Sequence, residues 1–270
     1  MTTHRKYTDA HLHLQDDRLW PVAGELIGRA HAAHVTRLLC NGITPADWPR
    51  VLDLAARHDC VVPFIGLHPW HIEQAPDAWQ ADLESIIRTH RAGVGEIGLD
   101  FAKPFDRERQ RLAFEFQLAL AVRHRRPVSI HAVKAWATLT ECLRNASPLP
   151  APFMIHAFNG SPEMARELIA LGGYVSFNAL SFAGARRDKT RTLLHALPQD
   201  RILFETESPA GLNPYVEFIP CREDRPNEPA NLPAIVAAAA ELVGQNSETF
   251  ADRIEENAMR FIRPLKDMHT

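Results

Sequence analysis

The chain has 270 residues, 46% of them hydrophobic and 23% charged, with a formal net charge of -3. That balance excludes a disordered chain and leaves enough apolar residues for a full core without disulfide staples. It also lacks the basic excess of a protein that coats nucleic acid by counterion release, so any nucleic-acid contact is expected to be local.

The polar start Met1–Lys6 is not followed by an apolar run, which reads as the absence of a secretory signal. No stretch of about 20 apolar residues reads as a membrane span. The four cysteines, Cys40, Cys60, Cys142 and Cys221, stand far apart and are read as free thiols of a reducing compartment. A cytoplasmic protein is the expectation. Histidine is the anomaly of the composition, with 14 in the chain.

In chain order, short β-branched or apolar runs alternate with longer amphipathic ones. The strand candidates are 7–14, 35–40, 61–67, 93–99, 127–132, 153–158, 174–178 and 201–206. Helix-like segments between them include 46–57, 77–91, 106–123, 162–171 and 186–197. Ser161 followed by Pro162 is a helix start, and Gly172-Gly173 is the matching stop. Two further helices, 232–243 and 247–260, are expected to cover the end of the chain.

Eight β/α units in strict alternation predict a (β/α)8 TIM barrel, a size class of about 250 residues, as a single domain over 1–270. A doubly wound open sheet would need a Gly-rich phosphate loop after the first strand, and D-A-H-L-H-L-Q-D is not one. The longest irregular stretch, 208–229, follows the last strand, where a barrel keeps a functional loop.

Barrels carry their sites at the C-terminal ends of the strands. Those ends hold Asp9, His11 and His13 on the first strand, His68 after the third, Glu96 and Asp100 on the fourth, His131, His156, and Glu205 and Glu207. His11 and His13 are two apart and share a strand face. Taken singly, each histidine is more ordinarily a satisfied core residue, and Glu96, Asp100 or Glu207 equally an ion-pair partner of an arginine. Taken together, four histidines and two carboxylates at one barrel end suit divalent ions, with enough ligands for two and one bridging carboxylate.

The ordered motifs D-A-H-L-H, G-L-H-P, G-E-I-G-L-D, Q-R-x-x-F-x-x-Q-L-x-L-A, P-V-S-I-H, H-A-F-N-G-S and E-T-E-S-P resemble the TatD family of metal-dependent deoxyribonucleases, over about 9–257. The resemblance implies an amidohydrolase-type barrel, a two-metal site with Mg, Mn or Zn, and hydrolysis of phosphodiester bonds in DNA, often as a 3′-to-5′ exonuclease. It implies His11 and His13 as ligands of one ion, Glu96 as the bridge, and His131 and His156 as ligands of the second. Glu207 takes the place of a family Asp that is both ligand and base for the attacking water. His68 is expected to face the scissile phosphate.

The chain departs from the family in reading E-T-E where E-T-D is usual, which moves a carboxylate by about one C–C bond, ~1.5 Å. It also has Lys134 where an arginine is common, and Pro226 beside Arg225 in the loop after the last strand. Lys103, Arg107, Lys134, Arg186, Arg187, Lys189, Arg222 and Arg225 all follow strands and are expected near the mouth, diluted by Asp106, Asp188, Glu223 and Asp224. The run Arg123–Arg126 precedes a strand and is expected at the opposite end. Asp9 is expected to orient His11 or His13. Trp70 and Phe158 are candidates to stack on a base.

The leading expectation is a phosphodiesterase acting on DNA. The competing ones are hydrolysis of a C–N or C–O bond in a small molecule and a metal-binding relative without strong activity. A basic groove favours the first and a closed apolar pocket the second. No sequence feature speaks to assembly, and a monomer is the simplest expectation.

Overall fold

The computed structural model describes residues 5–212 and 226–268. Arg222, Arg225, Cys221, Glu223, Asp224 and most of the 208–229 loop lie outside the described residues, as does most of the polar start.

The strands are β1 (Tyr7–Leu12), β2 (Val35–Asn41), β3 (Val61–Ile65), β4 (Gly93–Asp100), β5 (Val128–Val133), β6 (Phe153–Ile155), β7 (Gly173–Phe177) and β8 (Ile202–Phe204). They form one sheet in the order β1 to β8, every pairing parallel. The helices between them are α1 (Ala23–Ala32), α2 (Trp48–Arg57), α3 (Trp79–Thr89), α4 (Arg107–His124), α5 (Trp136–Ala146), α6 (Pro162–Ala170) and α7 (Arg186–Ala196). Three more, α8 (Leu232–Leu242), α9 (Ser247–Phe261) and the short α10 (Arg263–Lys266), follow β8. This is the expected (β/α)8 barrel.

The ladder does not itself join β8 to β1. The seam is joined just past its end, where Glu207 N–H donates to His11 O at 3.0 Å and His13 N–H to Ser208 O at 2.7 Å. Asp9 reinforces it by accepting from Thr206 N–H at 2.9 Å and from the Thr206 hydroxyl at 2.5 Å. The segments that carry site residues are thus the ones that close the barrel.

Strand alternation divides the interior into two layers. Leu39, Phe64, Met154, Tyr174 and Leu203 form a buried apolar cluster with Phe261 of α9, whose ring lies 6.0 Å from Phe64 and 5.6 Å from Tyr174. Two residues further along the chain from each come Asn41 and Ser176 on their strands, and Gly66, His156 and Glu205 just past the ends of theirs. The apolar layer and Phe261 plug one end, so the polar residues open only at the other.

Local signals act as expected in several places. Ser161 Oγ accepts from Met164 N–H at 3.3 Å as the cap of α6. Gly172 ends that helix at φ +95°, but Gly173 is the first residue of β7, where a Cβ would meet the Phe153 ring. Most strands stop short of the expected ends. The residues after Leu12, Ile65, Ile155 and Phe204 leave the ladder, because their backbone turns to deliver side chains to the mouth. Of the basic run at the other end, Arg126 is structural. Arg126 is buried and its guanidinium donates to His90 O at 3.2 Å and to Ile87 O, satisfying carbonyls at the end of α3. Cys40 and Cys142 are buried and unbridged, and Cys60 is half-buried and unbridged. Among the described residues no helix is long and apolar enough to cross a membrane.

Candidate metal centre

Glu96 stands at the middle of the polar mouth, buried, on a strand whose eight residues are all buried. Its two carboxylate oxygens face different partners. Oε2 lies 3.3 Å from His11 Nε2 and 3.4 Å from His13 Nε2. Oε1 lies 2.8 Å from His156 Nε2, 3.1 Å from His131 Nδ1 and 3.3 Å from His68 Nε2. Every candidate histidine of the sequence reading therefore reaches this one carboxylate.

A histidine binds a cation only through a nitrogen that carries a lone pair, and the bond made by the other nitrogen decides which that is. His13 Nδ1 lies 2.8 Å from Asn41 O, a pure acceptor, so Nδ1 carries the proton and Nε2 presents a lone pair. His131 Nε2 lies 3.3 Å from Asp100 Oδ2, leaving Nδ1 turned to Glu96. His156 Nδ1 lies 3.1 Å from Glu207 Oε2 and 3.5 Å from Glu205 Oε1, leaving Nε2 turned inward. His11 Nδ1 lies 3.0 Å from the Ser129 hydroxyl, which can accept its proton. His68 differs. Its Nδ1 accepts from Trp70 N–H at 3.2 Å, so in the neutral ring the proton sits on Nε2, which donates towards Glu96. With the far nitrogen of His11, His13, His131 and His156 engaged in this way, the nitrogen of each that faces Glu96 is the one that would give its lone pair to a cation in place of a proton, whereas His68 keeps its proton on the Glu96 side.

Side chains that share a strand face with the ligand candidates hold them in place. Ser129 is two residues before His131 in P-V-S-I-H, on the face that reaches His11. Asp100 accepts from Trp70 Nε1 at 2.7 Å and from Ala102 N–H at 2.9 Å besides facing His131. Its partners are an imidazole and an indole, where the sequence alone left an arginine open. Glu205 is fully buried, accepts from Ala157 N–H at 2.9 Å and from the Ser176 hydroxyl, and so fixes the turn that follows His156. Asp9 corrects an expectation. Its carboxylate takes Thr206 at the barrel seam and touches neither imidazole, so Ser129 and the Asn41 carbonyl do the orienting instead.

Two glutamines of the α4 motif act on the same mouth from outside the sheet. Gln117 exchanges hydrogen bonds with Leu67, receiving from its N–H at 2.7 Å and donating to its O at 3.1 Å. Gln110 clamps Asp100 the same way, at 2.7 and 3.1 Å. They pin the backbone beside His68 and at the residue that faces His131.

The electrostatics follow from crowding in a buried site. Burial opposes the charge on Glu96, but His156, His68 and His11 outweigh it and hold its carboxyl below the usual range. Burial likewise opposes the charge on His156, yet Glu96 and Glu207 hold its pKa well above the ordinary value. Glu207 is held low against burial, chiefly by His156. Burial and the His156 charge push His11 down to about 4, and burial pushes His68 down to about 4. Burial lifts Glu205 to about 7.

The donor set fits divalent cations. His11, His13 and Glu207 offer ligand atoms within 4.8 Å of one another, as do His11, Glu96 and His156, and also His68, Glu96 and His131. His11 Nε2 and His13 Nε2 are 3.2 Å apart, and a cation between them would satisfy both lone pairs.

The cluster forms the floor of a cavity of about 700 Å³. Arg18, Arg186 and Lys189 line it together with Asp16 and Asp47, and Ile43, Trp70, Phe158, Leu180, Leu193 and Pro209 make much of its wall. The mouth is therefore neither a strongly basic groove nor a closed apolar pocket. Arg18 was not foreseen and is paired with Asp16 at 2.8 Å. Lys103 lies over the Trp70 ring at 5.2 Å and Arg107 over Phe101 at 4.9 Å, while Lys134 and Arg187 do not line the cavity. Trp70 is 40% exposed at the rim, and Phe158 packs edge-on to Trp136 with ring centroids 5.4 Å apart.

Known proteins share this architecture. Residues 8–263 match the family model for TatD related DNase. The 3'-5' ssDNA/RNA exonuclease TatD of Pantoea vagans (strain C9-1) is 31% identical over 246 residues, covering 88% of this chain and 92% of that protein. The uncharacterized metal-dependent hydrolase YabD of Bacillus subtilis (strain 168) is 30% identical, over 94% of this chain and 98% of that one. The crystal structure of YJJV, a TatD homolog from Escherichia coli K12, superimposes with a TM-score of 0.84 at 26% identity, covering 94% and 97% of the two chains. A family match over nearly the whole chain, carried on the same fold, means that the chain belongs to the TatD-related DNase family.

Proposed function

We propose that the chain is a two-metal phosphodiesterase that removes nucleotides from the 3′ end of single-stranded DNA. The observation that carries this reading is the division of Glu96. One oxygen faces His11 and His13, the other faces His131 and His156, and the hydrogen bond behind each ring leaves the nitrogen on the Glu96 side as the one able to bind a cation. A carboxylate so placed is suited to bridging two cations.

In this reading His11 and His13 hold the first ion, His131 and His156 the second, and Glu96 both. Glu207 reaches the first set and also His156. Mg, Mn or Zn bound there would supply Lewis-acid charge for the phosphate oxygens and lower the pKa of a water towards about 7. Glu207, held ionised by His156, accepts the proton of the attacking water. His68 donates from Nε2 towards Glu96, and with Glu96 engaged by cations that proton would be available to a phosphate oxygen. The longer side chain of Glu207 brings its carboxylate to His156 Nδ1 as well as to the first set, which supports a place for it in the site.

Relatives named as ssDNA/RNA exonucleases support the substrate class. The cations at the rim suit a local contact with a single strand. The test is direct. The purified protein is assayed for bound metal, then against single-stranded DNA, RNA and a simple phosphodiester with Mg, Mn or Zn. The expected result is cleavage abolished by chelator and lowered at least about a thousandfold by Glu96→Gln. Cleavage that survives both sinks the two-metal reading.

A further inference from the structure

Past the Glu96 cluster the cavity continues over the ends of β6, β7 and β8, beneath α7. Phe158, Leu180 and Leu193 form its apolar part, with Asn159, Arg186 and Lys189 also along it. Three buried polar side chains lie in that wall, and one of them, Thr190, spends its hydroxyl on Ser181 O. Asn178 is 5% exposed and Ser181 is 9% exposed, and both line the cavity.

Each has a hydrogen-bonding group left over. Asn178 Oδ1 accepts from Leu180 N–H at 3.1 Å, which fixes the amide and leaves its NH2 end unspent. Ser181 uses its backbone fully, its N–H donating to Asn178 O at 3.0 Å and its carbonyl accepting from the Thr190 hydroxyl at 2.6 Å. Neither the Asn178 NH2 nor the Ser181 hydroxyl has a partner among the described residues. Neither atom is sealed off, so on these two buried residues the free groups are open to the cavity, and a ligand that displaces the cavity's solvent must pair with them.

The ligand must present a flat apolar face with hydrogen-bond acceptors on its edge. We propose that this lobe is a nucleobase subsite, which takes the base of the terminal nucleotide while that nucleotide's phosphodiester lies over Glu96. The Asn178 NH2 donates to a ring nitrogen or carbonyl of the base. The Ser181 hydroxyl donates or accepts beside it. Phe158, Leu180 and Leu193 enclose the ring. The subsite rests on the nuclease reading for its substrate and makes its own demand: hydrolysis must depend on the base as well as on the phosphate.

The metal-loaded full chain is assayed on two single-stranded deoxyoligonucleotides, one ending at its 3′ side in thymidine and one in an abasic tetrahydrofuran residue. Calorimetry measures binding of thymidine 5′-monophosphate against deoxyribose 5-phosphate. The wild type is expected to favour the thymidine end by on the order of tenfold or more in kcat/KM, and to bind the monophosphate correspondingly tighter. Asn178→Leu and the milder Ser181→Ala should each shrink that ratio about threefold to tenfold. Thermal melts confirm that each variant is folded, and Ser181→Ala carries the test if Asn178→Leu is not. Equal rates on the two ends, or variants that slow both alike, overturn the subsite and leave the nuclease reading standing. A chain that binds the monophosphate through Asn178 and Ser181 but cleaves neither oligonucleotide keeps the subsite and overturns the nuclease reading.

Discussion

Replacing Glu207 by Asp restores the usual family residue, yet the geometry of this site predicts a loss. Glu207 Oε2 meets His156 Nδ1 at 3.1 Å. Shortening the side chain by one methylene withdraws the carboxylate by about 1.5 Å, beyond hydrogen-bond reach. His156 then keeps only Glu205 Oε1, at 3.5 Å, behind its ring. A hydrogen bond to a charged group contributes about 1.5–3 kcal/mol, and losing the partner that orients a metal-binding histidine costs about 10–100-fold in affinity. Glu207→Asp should therefore weaken metal binding by about that factor and slow turnover. Metal-free stability should fall as well. Glu207 sits at φ +62°, a left-handed conformation that Asp tolerates better than Glu, but that offsets only a few tenths of a kcal/mol of the roughly 1.5–3 kcal/mol lost with the His156 hydrogen bond. Metal titration by calorimetry and metal-free denaturation curves read the two effects separately. Tighter metal binding or a faster enzyme in Glu207→Asp would refute the reasoning and mark Glu207 as a compromise.

Three further variants probe other parts of the structure. Asp100→Asn removes the charge behind His131, whose pKa is raised against burial by Asp100 and then Glu96; metal affinity should fall about tenfold with little change in Tm, and an unaltered metal titration would count against the assignment. Gly98→Ala should destabilise the protein by more than about 4 kcal/mol in urea, because residue 98 is at φ +149° and a Cβ there would overlap the His131 carbonyl. Arg126→Met should cost about 1–3 kcal/mol through the orphaned carbonyls of Ile87 and His90, while kcat/KM on DNA stays as in the wild type; a selective loss of DNA cleavage would move the nucleic-acid contact to that end of the barrel.

Much of the site was legible because strand geometry is simple. Alternation with a period of two puts His11 with His13, and the rule that barrel sites lie at the C-terminal ends of strands puts them with Glu96, His131, His156 and Glu207. The same alternation would have found Ser129, two before His131, and Ser176, two before Asn178. It could not find the Asn41 carbonyl behind His13, since a backbone oxygen leaves no trace in residue identity. Asp9 was misassigned for a related reason. It shares a face with the candidate ligand histidines, but the barrel seam brings Thr206 to it first.

The sequence by itself determined the alternation of β and α units, the end of the barrel that carries chemistry and the residue types gathered there. These follow from periodicity and motif order, which are properties of neighbours along the chain. Only the tertiary structure decided how Glu96 shares its two oxygens and which nitrogen each histidine turns to it. Those depend on contacts between strands 25 to 118 residues apart, such as His131 with His156 and His11 with Ser129, while the His68 proton is set by the local turn at Trp70. The His/carboxylate cluster was written in the sequence, and the closing of the barrel gave each ligand its direction.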